Sequence, residues 1–463
     1  MEEKKENYKA VIVIPTWDRL DLLKDLFESL KKQTEKNFAV VICDNGSRDQ
    51  TFSFLEKEIK QNELNLWALM LPENFGFATA NNVGINFAFH SLNPEFIILL
   101  NNDALPNPNF VEILFKKAAY YDSDPKLHPD FFPFLGKKSD WRVGSFAPLI
   151  ENFYHKEKVD AAGIKIYEDG NSINRGAGLR TNKFKREEEV FGPTAASAMY
   201  LGKALKDIAL PPHFYSIFYP RKAKIPLNQN RVFRVEVEKK NSSKKETLKQ
   251  NYAEKYFLLP LSEFFSSRYF AYFEDVDLAM RLRLRFWGSV LLPTAKVLHK
   301  HSATAGSFSP FKSFHIHRNQ YFNLIRDFPS YHVISGFLAA FRRYFHLLRS
   351  VKIKKGPAFM LSEKAGKFGL VKIVLGGWVD VLKQFFGLVQ ERYFIQSNRL
   401  TPSSTFYKML KEKRFRANLK KMVFETPNFK SIDTKKTASP EITASKEQKK
   451  SDEEDKDQLP EWF

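Results

Sequence analysis

The strongest constraint in the sequence is an alternation that runs through its first 121 residues. Short apolar runs recur at 10–14, 38–43, 66–71 and 96–100, and amphipathic stretches fill the intervals. In those intervals Leu20, Leu23, Phe27 and Leu30 recur at helical spacing, as do Phe110, Ile113 and Leu114. Strand and helix in this order predict an α/β fold, a parallel sheet with helices on its faces. Each run ends in polar or turn-forming residues: Pro15-Thr16, Asp44-Asn45-Gly46-Ser47, Glu73-Asn74 and Asn101-Asn102-Asp103. Open α/β sheets bind ligands beyond the carboxyl ends of their strands, so these four loops are expected to line one site.

Further along, residues 122–142 lack a clear period and read as an inserted loop. A strand at 143–150 and a β-rich excursion over 159–191 are expected next, after which the small residues Pro193-Thr194-Ala195-Ala196-Ser197-Ala198 read as the opening of a helix. Residues 207–266 are poorly patterned and read as a second insertion, with an exposed polar loop at 239–245, placed to cover a cleft. Periodicity returns over 269–285, ahead of a strand ending at His299.

With 463 residues the chain exceeds one domain of about 100–200 residues, so a catalytic-sized body with an appendage is expected. The single cysteine, Cys43, excludes an internal disulfide framework and a cysteine-based zinc site and points to a reducing compartment. The charged start Met1-Glu2-Glu3-Lys4-Lys5-Glu6 runs straight into a strand, unlike a secretory signal. No stretch reaches about 18 uncharged apolar residues, so a cytoplasmic location is expected. The formal net charge of +20 is concentrated late: residues 331–430 hold 20 Lys+Arg against 5 Asp+Glu, and residues 431–463 hold 6 against 9. The last segment, rich in Lys, Glu and Ser, reads as a disordered tail.

Taken singly, the polar motifs have plain structural explanations. Asp44-Asn45-Gly46-Ser47 is a turn signal, Glu274-Asp275 suits the positive end of a helix dipole, and a histidine after a strand is commonly structural. Their joint order is more specific. Val11-Ile12-Val13-Ile14-Pro15-Thr16-Trp17-Asp18-Arg19, Val41-Ile42-Cys43-Asp44-Asn45-Gly46-Ser47, Asn74-Phe75-Gly76-Phe77-Ala78 with Asn81-Asn82, Leu99-Leu100-Asn101-Asn102-Asp103 and Phe273-Glu274-Asp275-Val276-Asp277-Leu278 resemble glycosyltransferase family 2. That family comprises inverting nucleotide-sugar transferases of GT-A fold, a mixed sheet flanked by helices. The resemblance spans residues 9–328 and is strongest to rhamnosyltransferase-type members.

The resemblance implies a role for each matched position. Asp44 would accept a hydrogen bond from the ring N–H of uracil or thymine, with Pro15 and Thr16 as the adjacent wall. Asn74, Gly76, Asn81, Asn82 and Asn102 would shape the donor pocket. Asp103 corresponds to the last acid of the family's Asp-x-Asp motif, which holds Mg²⁺ or Mn²⁺ against the donor diphosphate; Asn101 stands where the first acid would be. His299, 24 residues beyond Asp275, would be a further metal ligand, with His301 the less favoured substitute. Asp275 matches the catalytic base that deprotonates the acceptor hydroxyl. Glu274 and Asp277 would organise the loop, contact acceptor hydroxyls or pair with Arg281, and the turn that holds Ala195 and Ala196 would face the donor sugar and acceptor or make a close helix-packing contact.

A GT-A domain over 1–328, a basic amphipathic helical region over 329–430 and a tail over 431–463 are therefore expected. In residues 331–350, Ile334, Phe337, Leu338, Phe341, Phe345 and Leu348 share a helical face, with Arg342, Arg343 and Arg349 off it. A second apolar stretch over 368–389 is interrupted by Lys372, Asp380 and Lys383 and should lie on a membrane or pack in a core rather than span. Contact with an anionic membrane surface is expected, packing against the body or a second subunit is the alternative, and no nucleic-acid module is recognisable. The expected function is transfer of a sugar, rhamnose from dTDP-rhamnose first, to a saccharide or lipid-linked saccharide in cell-surface polysaccharide synthesis. The alternatives are a UDP-hexose or UDP-N-acetylhexosamine transferase, or a non-catalytic sugar-nucleotide-binding scaffold. No Gly-x-Gly-x-x-Gly follows the first strand and no P-loop motif occurs, which disfavours a dinucleotide oxidoreductase and a P-loop phosphotransferase.

Overall fold

Strand β1 (Ala10–Thr16) is apolar along its length because helices cover both faces of the sheet it centres. It leads through α1 (Leu20–Lys31) to β2 (Phe38–Asp44), α2 (Thr51–Gln61), β3 (Leu66–Met70), α3 (Gly76–Phe87) and β4 (Phe96–Leu100). β1 pairs in parallel with β2 and with β4, and β2 with β3, so four carboxyl ends emerge on one edge. The computed structural model describes residues 7–123, 141–211, 222–226, 231–237, 256–260, 262–300, 309–412 and 416. The expected loop at 239–245, most of the 122–142 insertion, His301 and the 431–463 tail lie outside them.

The chain continues through β5 (Ala104–Pro106), α4 (Phe110–Ser123), β6 (Arg142–Asn152), β7 (Val159–Ala161) and a small hairpin of β8 (Ile164–Ile166) and β9 (Ser172–Asn174). Then come β10 (Glu188–Val190), β11 (Ser197–Leu201), α5 (Gly202–Ile208), β12 (Lys222–Pro226), β13 (Val232–Arg234), β14 (Glu236–Val237) and β15 (Tyr256–Pro260). After α6 (Glu274–Leu284) and β16 (Trp287–His299) the described residues are helical: α7 (Pro310–Asp327), α8 (Ser330–Lys352), α9 (Pro357–Ser397) and α10 (Ser403–Lys411). The main sheet runs β10-β16-β6-β11-β4-β1-β2-β3-β13. It is mixed, because β11 runs antiparallel to both β4 and β6. The mixed sheet flanked by helices is that of the expected GT-A class, and the appended C-terminal helical region is present as expected.

Three expectations need correction. The small residues 193–198 do not open a helix: Ser197–Leu201 is a fully buried strand between β4 and β6, and the helix starts only at Gly202. Small side chains suit both a helix start and a strand squeezed between neighbours, so composition could not separate them. Within the second insertion, β13 adds a parallel edge to β3, and β14, β12 and β15 form a separate three-stranded sheet. In α8, Phe337 is turned inward and stacks on Tyr321, and Arg343 is buried in an ion pair with Asp169 at 2.5 Å.

Helix α3 rests directly on the sheet. A Cβ at Gly84 would fall 2.6 Å from both the Cys43 sulfur and Val13 Cγ1, so only glycine allows this approach. At the other end of the molecule α9 packs along α7 through buried ion pairs: Arg318 with Asp380 at 2.9 Å, and Glu391 with Arg326 at 2.5 Å and with Arg268. Just past α9, the backbone N–H groups of Leu400 and Thr401 and the Thr401 hydroxyl donate to the carbonyls of Leu284 and Arg283. These are carbonyls in the last turn of α6, which the helix itself cannot satisfy. Segment Phe368–Ser397 is long and apolar enough, by length and composition, to cross a membrane, but its inner face is committed to α7.

Candidate active site

The four strand-end loops do meet, and hydrogen bonds tie them into one floor. Asn102 Nδ2 donates to the Thr16 hydroxyl at 3.1 Å, joining the ends of β4 and β1. The Asn101 N–H donates to the Ala196 carbonyl, and the Ala195 N–H donates to Asp275 Oδ2 at 3.2 Å. The turn before β11 thus bridges the Asn101–Asp103 loop to the start of α6.

On the β2 side, Asp44 is buried at the strand end beside Thr16 and accepts from the Ser47 hydroxyl and N–H. Burial drives its carboxyl up to about 6, against the pull of Ser47. Asn45, which the motif comparison left without a role, fixes the neighbouring loop: its Nδ2 donates to Asn74 Oδ1 at 2.8 Å and its Oδ1 accepts from the Phe75 N–H at 2.9 Å. Asn74 in turn accepts from the Gly76 N–H. Gly76 has φ +85°, and a Cβ there would strike the Phe270 carbonyl, so this tight turn demands glycine.

Asn81 and Asn82 sit on α3 in different circumstances. Asn81 Nδ2 bonds the Phe77 carbonyl of its own helix, while its buried Oδ1 has no partner among the described residues. Asn82 is spent on structure, donating to the Phe265 carbonyl and accepting from the Phe264 and Phe265 N–H groups. Its amide therefore clamps the 264–265 backbone to α3 rather than facing a ligand.

The pairing of β16 with β5 sets His299 against Ala104 and brings it to Asp103, 3.0 Å from Nε2 to Oδ1. His299 Nδ1 lies 2.6 Å from Asp160 Oδ2 on the next strand pair. Burial works against charge on the imidazole, but Asp103 and Asp160 override it and lift the pKa to about 10. Sequence reasoning missed Asp160, a lone acid between Val159 and Ala161. Asp103 supplies the one carboxylate oxygen donor suited to a hard divalent cation, with the His299 imidazole beside it. The two side chains pair directly with each other, so a bound cation would have to displace the imidazole proton. No group of three or more His, Cys, Asp or Glu side chains that could hold an ion occurs among the described residues, so a ligand's oxygens would complete such a shell.

Asp275 opens α6 and is partly accessible, with Oδ1 accepting from the Val276 N–H and Oδ2 from the Ala195 N–H. Burial raises its carboxyl to about 6, although those N–H groups pull downward. Glu274 is buried beside it, pushed well above the carboxylate range by burial and by the charge of Asp275, and its Oε2 has no partner among the described residues. The buried Tyr200 hydroxyl, also unpartnered there, feels both acids. Asp277 does not face an acceptor. It is fully buried between Arg281 (2.7 Å) and Arg326 (2.8 Å), and although burial opposes ionisation these guanidinium groups hold its pKa low. Two arginines in one buried pocket require an ionised partner, and the sequence signalled only Arg281, one helical turn away.

Residues 11–169 match the family model for glycosyl transferase family 2. Among curated relatives, the glycosyltransferase GlyA of Streptococcus pneumoniae serotype 4 is 24% identical over 34% of this chain and 23% of its own length. The teichoic acid poly(glycerol phosphate) polymerase of Staphylococcus epidermidis is 28% identical over 36% of this chain and 20% of its own. The chain thus spans less than a quarter of either relative. Among solved structures, residues 1–349 of Staphylococcus aureus TarS in complex with UDP-GlcNAc align over 86% of this chain and 92% of that one, with 16% identity and a TM-score of 0.41. The family match covers the segment that holds β1 to β4 and the loops at their carboxyl ends.

Proposed function

We propose that the chain is an inverting glycosyltransferase of cell-surface glycan synthesis that moves a sugar from a uracil- or thymine-based nucleoside diphosphate to a saccharide or lipid-linked saccharide hydroxyl. The observation that carries this reading is the bridge from Asp103 with His299, through the 195–196 turn, to Asp275 at the head of α6. In this reading Asp103 is the acid that faces the diphosphate and Asp275 the acid that meets the attacking hydroxyl.

Each step falls to a named residue. Asp44, ionised, offers acceptors only and suits the N–H edge of a uracil or thymine. Asp103 and His299 would hold Mg²⁺ or Mn²⁺, with Asp160 fixing the imidazole from its far nitrogen. When bound, the cation neutralises charge that develops on the leaving diphosphate. Asp275 takes the acceptor proton as the hydroxyl oxygen bonds the anomeric carbon and the bond to the diphosphate breaks on the opposite face. Glu274, buried beside Asp275 with an Oε2 unpartnered among the described residues, is assigned to the acceptor side in this reading. The choice of dTDP-rhamnose as first donor rests on the likeness to rhamnosyltransferase-type sequences, with UDP-hexoses and UDP-N-acetylhexosamines next.

Thermal unfolding against dTDP-rhamnose, UDP-glucose, UDP-galactose and UDP-N-acetylglucosamine, with and without Mg²⁺ or Mn²⁺, tests donor and metal together. The true donor at about 100 times its dissociation constant should add roughly 2.7 kcal/mol of stability. Asp103→Ala should remove the metal-dependent part. If none of the four shifts the transition, the donor lies outside this panel and a wider set of nucleotides is to be screened.

The rate should also depend on pH in a defined direction. Only ionised Asp275 accepts a proton, and its pKa is raised to about 6, so transfer should rise as pH increases through about 6 and level off above. An acid limb of kcat near 4, the range of an unperturbed carboxylate, would remove Asp275 from this role.

A further inference from the structure

We propose that the outward faces of α8 and α9 form a docking surface for an anionic lipid bilayer, independently of which sugar the domain transfers. On α8, Tyr331, Ile334, Leu338, Phe341, Phe345 and Leu348 follow one another at intervals of three and four residues, and each is at least 65% exposed. On α9, Phe368, Leu375, Leu382, Phe386 and Tyr393 form a second exposed apolar stripe, with Phe368 at 88% and Phe386 at 83%. Neither stripe is a misplaced core face. The opposite side of α8 already buries His332, Gly336, Ala340 and Arg343, and that of α9 buries Ile373, Val381, Leu388 and Ile395. Exposed apolar surface of this extent marks an interaction site.

Charge selects the occupant. Residues 330–412 contain 14 Lys+Arg and 4 Asp+Glu. Two of those four acids, Asp380 and Glu391, are turned inward onto Arg318, Arg326 and Arg268. Of the other two only Glu363 is exposed, against exposed cations that include Arg349, Lys352, Lys354, Lys355 and Lys372. A second copy docking by two-fold symmetry would set these cations against their own equivalents. Lipid phosphates neutralise them instead, while the apolar stripes enter the acyl boundary. The same inward acids argue for lying on the bilayer rather than crossing it, because insertion of α9 would pull Asp380 and Glu391 from their arginine partners.

The test is co-sedimentation of the full chain with vesicles of phosphatidylglycerol and phosphatidylcholine in equal parts, compared with phosphatidylcholine alone. The native protein should bind the mixed vesicles and not the neutral ones. The triple variant Leu338→Asp, Phe341→Asp and Phe345→Asp should lower partitioning by about a hundredfold or more, because it removes inserted side chains and adds like charge to an anionic surface. Charge reversal at Arg349→Glu, Lys352→Glu and Lys355→Glu should lower it as well, and decides alone if the first variant fails to fold. Absence of vesicle binding, equal binding to neutral vesicles, or variants that bind as the native chain does would each overturn the proposal. So would a native dimer, seen by light scattering, that the triple variant dissolves while vesicle binding stays unchanged.

Discussion

Replacing Asp275 with asparagine should lower the rate of sugar transfer by about a thousandfold while donor binding survives, within the 10²–10⁴ that a positioned base contributes. Asparagine is close to isosteric and can still accept one of the two hydrogen bonds that place the side chain, from Ala195 or Val276. What it lacks is the capacity to take a proton at neutral pH. The measurement is product formation by chromatography alongside the donor-induced thermal shift, so that loss of chemistry is separated from loss of binding. A variant keeping more than about a tenth of the native rate would show that the acceptor proton leaves by another route.

Glu391→Ala should be the most damaging of single substitutions away from the site. Its carboxylate lies fully buried between Arg326 and Arg268, and Arg326 also holds Asp277 on the helix that begins with Glu274 and Asp275. Removing the acid leaves buried guanidinium charge short of a partner, which in comparable buried pairs costs about 3–5 kcal/mol. Urea unfolding at neutral pH measures it. Glu391→Gln, which keeps an acceptor but loses the charge, should fall between native and alanine. A loss below about 1 kcal/mol for the alanine variant would mean that water or Asp277 takes over the released guanidinium groups.

The parts of the fold legible in the sequence were those written by short-range physics. β1, β2 and β4 are covered on both faces and so appear as unbroken apolar runs. The loops after them carry the polar residues that cannot be buried in a strand. β11 was illegible because its small residues answer to a squeeze between β4 and β6, which lie far from it along the chain. Periodicity likewise gave α8 a face but not the position of its neighbours, so Phe337 and Arg343 were assigned outward when Tyr321 and Asp169 draw them in. At the site, motif order carried Asp44, Asp103, Asp275 and His299 onto one sheet edge. Asp160 had no signal at all, since a single acid in a buried strand gains meaning only when His299, 139 residues away, arrives beside it.

The caps on α6 bear on how this chain can be cut and recombined. Segment 400–401 closes the end of the helix that begins with Glu274 and Asp275, and Glu391 neutralises the arginine that pairs with Asp277 in its first turn. A boundary drawn after Pro329, where the charge pattern changes, would therefore expose the last carbonyls of that helix and strand a buried cation. A chimera that exchanges the late helices should keep Glu391 and the 400–401 segment that neutralise and cap α6.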